Sequence, residues 1–263
     1  MIKITISGLV LGLLLLALPL YVMFKFRLRI MDIVLASFVR MAVTMGTVGG
    51  LLYLVVSCGA LWLNALTMVI MALAGALYAV RRSRLSLRRF YIPVAAGMVT
   101  STLLTGLYVL FLVLGAESPL AASLSMPVAG VLTGATAVCN AKALHAYYVG
   151  LRSHRQLYDY FLGNGATHRQ AVSYFVRRAL EANIVPCARV MAYAMASASP
   201  ALVWGLLMGG VGIWQAVAVS VVLAVAAMSA SVLSLVVALA VARRYCFDDY
   251  QSLRADIKQT PSL

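Results

Sequence analysis

Sulfur and guanidinium are the two chemistries that the apolar part of this chain offers. Cys187, Met191 and Met195 recur at four-residue steps, which places them on one face of a helix, and Met41 and Met45 repeat the step earlier. Thiol and thioether ligands suit soft metal ions. The 13 methionines of so apolar a sequence serve equally well as core filler. Arg40 and Arg189 stand inside apolar stretches without a carboxylate neighbour in sequence. Each either snorkels to the lipid head groups or meets an anion; if both face a bundle centre, an organic anion or phosphate-bearing solute suits them better than a bare metal cation. Pro200, after Ser199, should kink or interrupt its helix, and interrupted membrane helices either border a pathway or serve packing alone. Together with Asn140, these residues make the candidate pathway set: Arg40, Asn140, Cys187, Arg189, Met191, Met195, Ser199 and Pro200.

Other chemistries lack their residues. The 7 acidic side chains, Asp32, Glu117, Asp159, Glu181, Asp248, Asp249 and Asp256, fall in expected loops, tails or span edges, so no carboxylate is placed to carry an ion through mid-membrane. His145, His154 and His168 lie in or beside a polar segment and read as solvated. The four cysteines, Cys58, Cys139, Cys187 and Cys246, show no Cys-x-x-Cys spacing and read as small buried apolar residues, with neither a zinc site nor a disulfide framework implied. No nucleophile, base and oxyanion set can be assembled, so the chain is expected to be no enzyme, and to hold no metal and no cofactor of its own. No G-x-x-x-x-G-K-[ST] run is present, so ATP hydrolysis would reside in another chain.

The elements that must position these residues belong in lipid. Hydrophobic residues make up 63% of the 263 and charged residues 11%, with a mean hydropathy of +0.98, too few polar groups to cover a water-soluble globule. About seven runs are long enough to cross a hydrocarbon core of ~30 Å as helices, at roughly 4 to 24, 33 to 56, 59 to 80, 91 to 114, 122 to 146, 184 to 208 and 214 to 242. Barrel strands would need a two-residue alternation that these runs lack, so the expected fold is an all-α polytopic membrane protein. Basic residues gather on one side: Lys25, Arg27 and Arg29; Arg81, Arg82, Arg84, Arg88 and Arg89; Arg152, Arg155, Arg169, Arg177 and Arg178; and Arg243-Arg244. The opposite links hold only Lys3 and Glu117, which puts the N-terminus outside and the C-terminus in the cytoplasm. A cleavable signal peptide over 1 to 24 is disfavoured, because its charge follows the apolar run. The net charge of +14 hugs span ends and forms no basic face, so lipid head groups and not nucleic acid are the expected partners. Residues 1–263 form one transmembrane domain.

Between two apolar segments lies a basic helical hairpin, about 147–183, turned at Gly163-Asn164-Gly165. Its incoming arm, Ala141 to Leu162, extends the fifth span; its outgoing helix starts at Thr167-x-x-Gln170, the arrangement of a capping box. Ala171, Val172, Phe175, Val176, Ala179 and Leu180 form an apolar stripe opposite Arg169, Ser173, Arg177, Arg178 and Glu181. The corner is then the farthest inward point, suited to pass a push to the spans; a plain structural hairpin has the same periodicity.

Gly165-Ala166-Thr167-x-x-Gln170-Ala171, Arg177-x-x-x-x-Ala182-x-x-x-Pro186 and Pro200-x-x-x-x-Gly205, with Pro127-Val128-Ala129-Gly130-x-x-x-Gly134 upstream and Phe38-x-Arg40 more faintly, carry a resemblance. The sequence resembles the FetB-type iron-export permease family, which includes related plant aluminium-tolerance membrane proteins, as a divergent member. The resemblance implies the permease subunit of an ABC transporter in the cell inner (cytoplasmic) membrane. It also implies a homodimer driven by a separate ABC ATPase subunit that binds ATP and Mg, and export of a metal ion or small solute. The ATPase contact would fall on Leu162, Gly163, Asn164, Gly165, Ala166, Thr167, His168, Arg169 and Gln170. Members of that family carry Asn where Ala135 stands, other residues at Arg189, Ala192 and Met195, and Gly at Ala201, so architecture transfers better than substrate. The alternatives are an ATP-independent carrier or channel for a small or anionic solute, and a non-transporting membrane adaptor.

Overall fold

In runs this apolar the backbone finds no hydrogen-bonding partner except itself, and helix is the result. The computed structural model describes Tyr21, Lys25 and residues 31–58, 60–113, 122–192 and 199–246. They form eight α-helices: α1 (Met31–Cys58), α2 (Leu61–Arg82), α3 (Leu87–Tyr108), α4 (Ala122–Ser153), α5 (Arg155–Gly163), α6 (His168–Ala192), α7 (Ser199–Met208) and α8 (Ile213–Cys246). One π-helical stretch, Val109–Val113, continues α3. The chain is an all-α membrane protein.

Five segments among the described residues are long and apolar enough to cross a membrane: Val34–Cys58, Trp62–Arg82, Leu87–Val113, Leu124–Ser153 and Ile213–Arg243. They match the second to fifth and the seventh expected spans. The expected first span lies, Tyr21 apart, outside the described residues. The expected sixth is helical on either side of 193–198, as the end of α6 and as α7.

Two clusters hold the bundle together. One joins Ala76, Phe90, Leu144, Tyr148, Phe175 and Leu235 from α2, α3, α4, α6 and α8. The other joins Val109, Leu110, Val128, Leu132, Leu223 and Ala227 at the opposite end. Close helix approach depends on small residues. At the α3–α8 crossing, a Cβ on Gly97 would run into the Ser234 carbonyl oxygen, so only glycine fits there. α1 touches α4 but leaves most of its apolar surface exposed.

The incoming arm differs from expectation. The helix is not continuous from Ala141 to Leu162 but breaks at His154, whose φ of −112° and ψ of 37° leave the helical region between α4 and α5. The Gly150 carbonyl lies within hydrogen-bond reach of both the His154 N–H, at 3.0 Å, and its Nδ1, at 3.2 Å, and the turn pivots on that contact.

Candidate functional site

Four helices meet at a buried polar seam. Asn140 on α4 and Asn183 on α6 are both fully buried. Asn183 Nδ2 donates to Asn140 Oδ1 at 3.0 Å, and Asn140 Nδ2 donates to Ser234 Oγ on α8 at 2.7 Å. Ser231 Oγ, also on α8, donates to Asn183 Oδ1 at 2.8 Å, while Asn183 Nδ2 reaches the Ser231 carbonyl at 3.4 Å. Met98 Sδ on α3 lies 3.6 Å from Asn140 Nδ2. Each amide oxygen and nitrogen therefore has a partner, which is the condition for burying them in an apolar bundle.

Sulfur lies at the edge of this seam. Cys139 on α4 and Cys187 on α6 bring their Sγ atoms to 2.7 Å, and Ser231 Oγ is 3.7 Å from Cys187 Sγ. Both are free thiols, and both are buried. Reading the cysteines as isolated apolar fillers missed this pairing, because residues so far apart in sequence become neighbours only where α4 and α6 cross.

Three further hydroxyls, Thr102, Ser125 and Thr136, are buried without a hydrogen-bond partner among the described residues. Serine and threonine in membrane helices usually satisfy themselves on the carbonyl one turn back, as Thr133 does on Ala129. Ser125, Thr136 and Asn140 stand roughly three turns and then one turn apart on α4, which keeps them on one inward face.

The candidate pathway residues divide. Asn140 and Cys187 come together in the seam. Arg40 is exposed on α1, beside a surface hollow lined by its own helix, including Leu35, Val39 and Thr44. Arg189 is exposed and Met191 half-buried near the end of α6, as are the exposed Met41 and Met45 on α1 relative to the seam, all outside its hydrogen-bond network. Met195 and the side chains of Ser199 and Pro200 lie outside the described residues. Asn183, Ser231, Ser234 and Met98 are site residues that sequence reasoning missed. Asn183 was masked by its place between the apolar stripe of the amphipathic helix and Pro186, and a lone Asn there was its only signal.

The corner between α5 and α6 is fixed at both ends. Asn164 N–H donates to the Tyr160 carbonyl, Gly165 N–H to Leu162 and Ala166 N–H to Phe161, at 3.1, 3.0 and 3.0 Å. That is a Schellman ending, and Gly165, at φ +80°, occupies the left-handed position it requires. On the outgoing side Thr167 N–H donates to Gln170 Oε1 at 2.8 Å, and Gln170 N–H to Thr167 Oγ1 at 3.4 Å: the expected capping box. Gly163, Asn164, Gly165, Thr167 and Gln170 are exposed, Leu162 and Ala166 half-buried; the side chains of His168 and Arg169 lie outside the described residues. Behind the tip the stripe is anchored as the periodicity predicts: Ala171, Phe175 and Ala179 are buried with Tyr158 in the main core cluster, while Ser173, Arg177, Arg178 and Glu181 face outward. Among the described residues no group of three or more His, Cys, Asp or Glu is placed to hold a metal ion.

The sequence model of an uncharacterised protein family, UPF0014, matches residues 6–247. No curated protein and no solved structure matches the chain.

Proposed function

We propose, since this chain belongs to the UPF0014 family of permease-like membrane proteins, that it is the membrane subunit of an ABC transporter of the FetB type. In this reading two copies pair in the inner membrane and a separate ATPase chain, which binds ATP and Mg, supplies the work for exporting a metal ion or small solute. One observation carries the reading: an exposed corner, capped on both sides, leads through α6 into the buried seam. Phe175 and Ala179 fasten α6 to the core, and about one turn beyond Ala179 the same helix delivers Asn183 to Asn140. A push on Leu162 to Gln170 therefore reaches the contact between α4, α6 and α8 through a single rigid element. The seam is closed, with Asn140 and Asn183 fully buried, and Thr102, Ser125 and Thr136 are the unsatisfied groups that a passing solute or water could meet.

The test is capture of a P-loop ATPase without a membrane domain of its own, the companion this reading expects in the neighbouring coding region, followed by ATP-dependent efflux from proteoliposomes. Wild type is expected to capture it and to move solute only with ATP. Ala166→Arg and Gly165→Pro should lose capture while the helical circular dichroism of the bundle is kept. Unchanged capture by both variants retires the coupling assignment; solute movement without ATPase supports a carrier or channel, and capture without movement an adaptor.

A further inference from the structure

Where α2 ends, a cavity of about 500 Å³ opens between that helix and α4, lined by Arg82, Arg84, Lys142 and His145 over Tyr78 and Ala141. No carboxylate lines it. Three permanent cations around one hollow without a counter-charge repel one another, and an anion entering it would relieve that repulsion. The walls are held in place. The His145 ring, through Nδ1, lies 3.2 Å from the Ser83 carbonyl oxygen and ties α4 to the turn after α2.

That turn has a Schellman geometry, with Arg84 N–H donating to Arg81 and Leu85 N–H to Val80. Arg84 sits at its left-handed position, with φ 58°, and is the non-glycine residue with positive φ among the described residues. The corresponding turns after α5 and α7 place Gly165 and Gly210 there, at φ 80° and 87°. Arginine at a position where glycine is the unstrained choice carries a backbone cost, and there its side chain lines the hollow.

A second hollow, of about 360 Å³, adjoins the first: Tyr78 and Arg82 line both, and Ala74 and Leu77 give the second an apolar wall along α2. A basic chamber at the end of a span that runs into an apolar groove along it matches an anionic head group with an acyl chain attached. We infer that Arg82, Arg84, Lys142 and His145 form a binding site for a phosphate group, supplied by an anionic phospholipid whose chain follows the α2 groove. This site is separate from the polar seam and from the coupling corner, and it stands or falls independently of the transport reading.

The test uses the full chain in detergent, with phosphatidylglycerol and phosphatidylcholine offered together and retained lipid read by native mass spectrometry. Inorganic phosphate is titrated in a second arm by calorimetry. Wild type is expected to retain about one phosphatidylglycerol per chain in preference to phosphatidylcholine. Arg82→Gln with Lys142→Gln should weaken retention about 25-fold, taking roughly fivefold for each charge removed near a head group. Both side chains are exposed, so the fold does not depend on them. Arg84→Gly should lose about fivefold without any fall in thermal stability, because glycine relieves the turn. Arg177→Gln with Arg178→Gln removes the same charge from the exposed face of α6 and should leave retention unchanged. Phosphate binding that is lost with Arg82 and Lys142, without lipid preference, would keep the phosphate site and replace its source by a soluble ion. Equal losses in the two double variants, or binding of neither probe, overturns the proposal.

Discussion

Removing the Asn140–Asn183 pair tests whether the seam is a hydrogen-bonded joint between α4 and α6. Asn183→Ala strips Asn140 Oδ1 of its donor at 3.0 Å and Ser231 Oγ of its acceptor at 2.8 Å. Asn140→Ala takes the acceptor from Asn183 Nδ2 and the donor from Ser234. Each single change orphans a fully buried polar group, so each should cost ~1–3 kcal/mol. The double variant removes both partners of the shared bond, and its cost should fall short of the sum. Interhelical hydrogen bonds in membranes average about 0.6 and reach about 1.7 kcal/mol in double-mutant cycles, while unconnected sites add within roughly 0.3–0.5 kcal/mol. A coupling of ~1 kcal/mol is thus expected and resolvable. Unfolding of the four proteins by sodium dodecyl sulfate in mixed micelles, followed by circular dichroism, gives the four free energies. A coupling below about 0.3 kcal/mol would refute the seam as drawn and with it the route from the corner to the bundle centre.

Two further outcomes follow from contacts that cross between helices. In a variant carrying Cys58→Ser and Cys246→Ser, diamide should take two hydrogens from Cys139 and Cys187 and join them, because their sulfurs lie 2.7 Å apart; two maleimide labels per denatured chain after oxidation would show that α4 and α6 do not cross there. Gly97→Ala should cost about 1–3 kcal/mol, since its Cβ meets backbone on α8 that cannot rotate away, whereas Gly134→Ala, with open space at its Cβ, should change stability by less than about 0.5 kcal/mol. Thermal unfolding in detergent ranks the two, and equal effects would displace the α3–α8 crossing.

Local signals in the chain were strong wherever one residue type and its near neighbours decide the outcome. The Thr167 and Gln170 caps, the Gly165 turn and the stripe from Ala171 to Leu180 are readable because their partners lie within a few residues. The break at His154 was not readable: neither glycine nor proline stands at 151–157, Gly150 continues α4 as helix, and the deviation appears only in the backbone of the folded chain, where Tyr158 beyond it is buried in the core.

Arg40 and Arg189 show the limit of one-dimensional reading. An arginine in an apolar run signals either a lipid-facing side chain or an inward one, and periodicity within its own helix does not say which; both side chains are exposed in the single chain. Cys139 and Cys187 show the converse, unremarkable by spacing and in contact by fold.

Composition alone made this an all-α membrane protein, since a backbone in hydrocarbon must bond to itself and that demand is the same at every residue of a long apolar run. Capping and amphipathic spacing then fixed the corner, again through interactions that close within a turn or two. Which buried polar groups meet was decided only by the crossing of α3, α4, α6 and α8. Asn140 with Asn183 and Cys139 with Cys187 unite distant parts of the chain in the interior, as Arg84 and Lys142 do around one surface hollow, and such a meeting depends on how the helices cross and turn against one another.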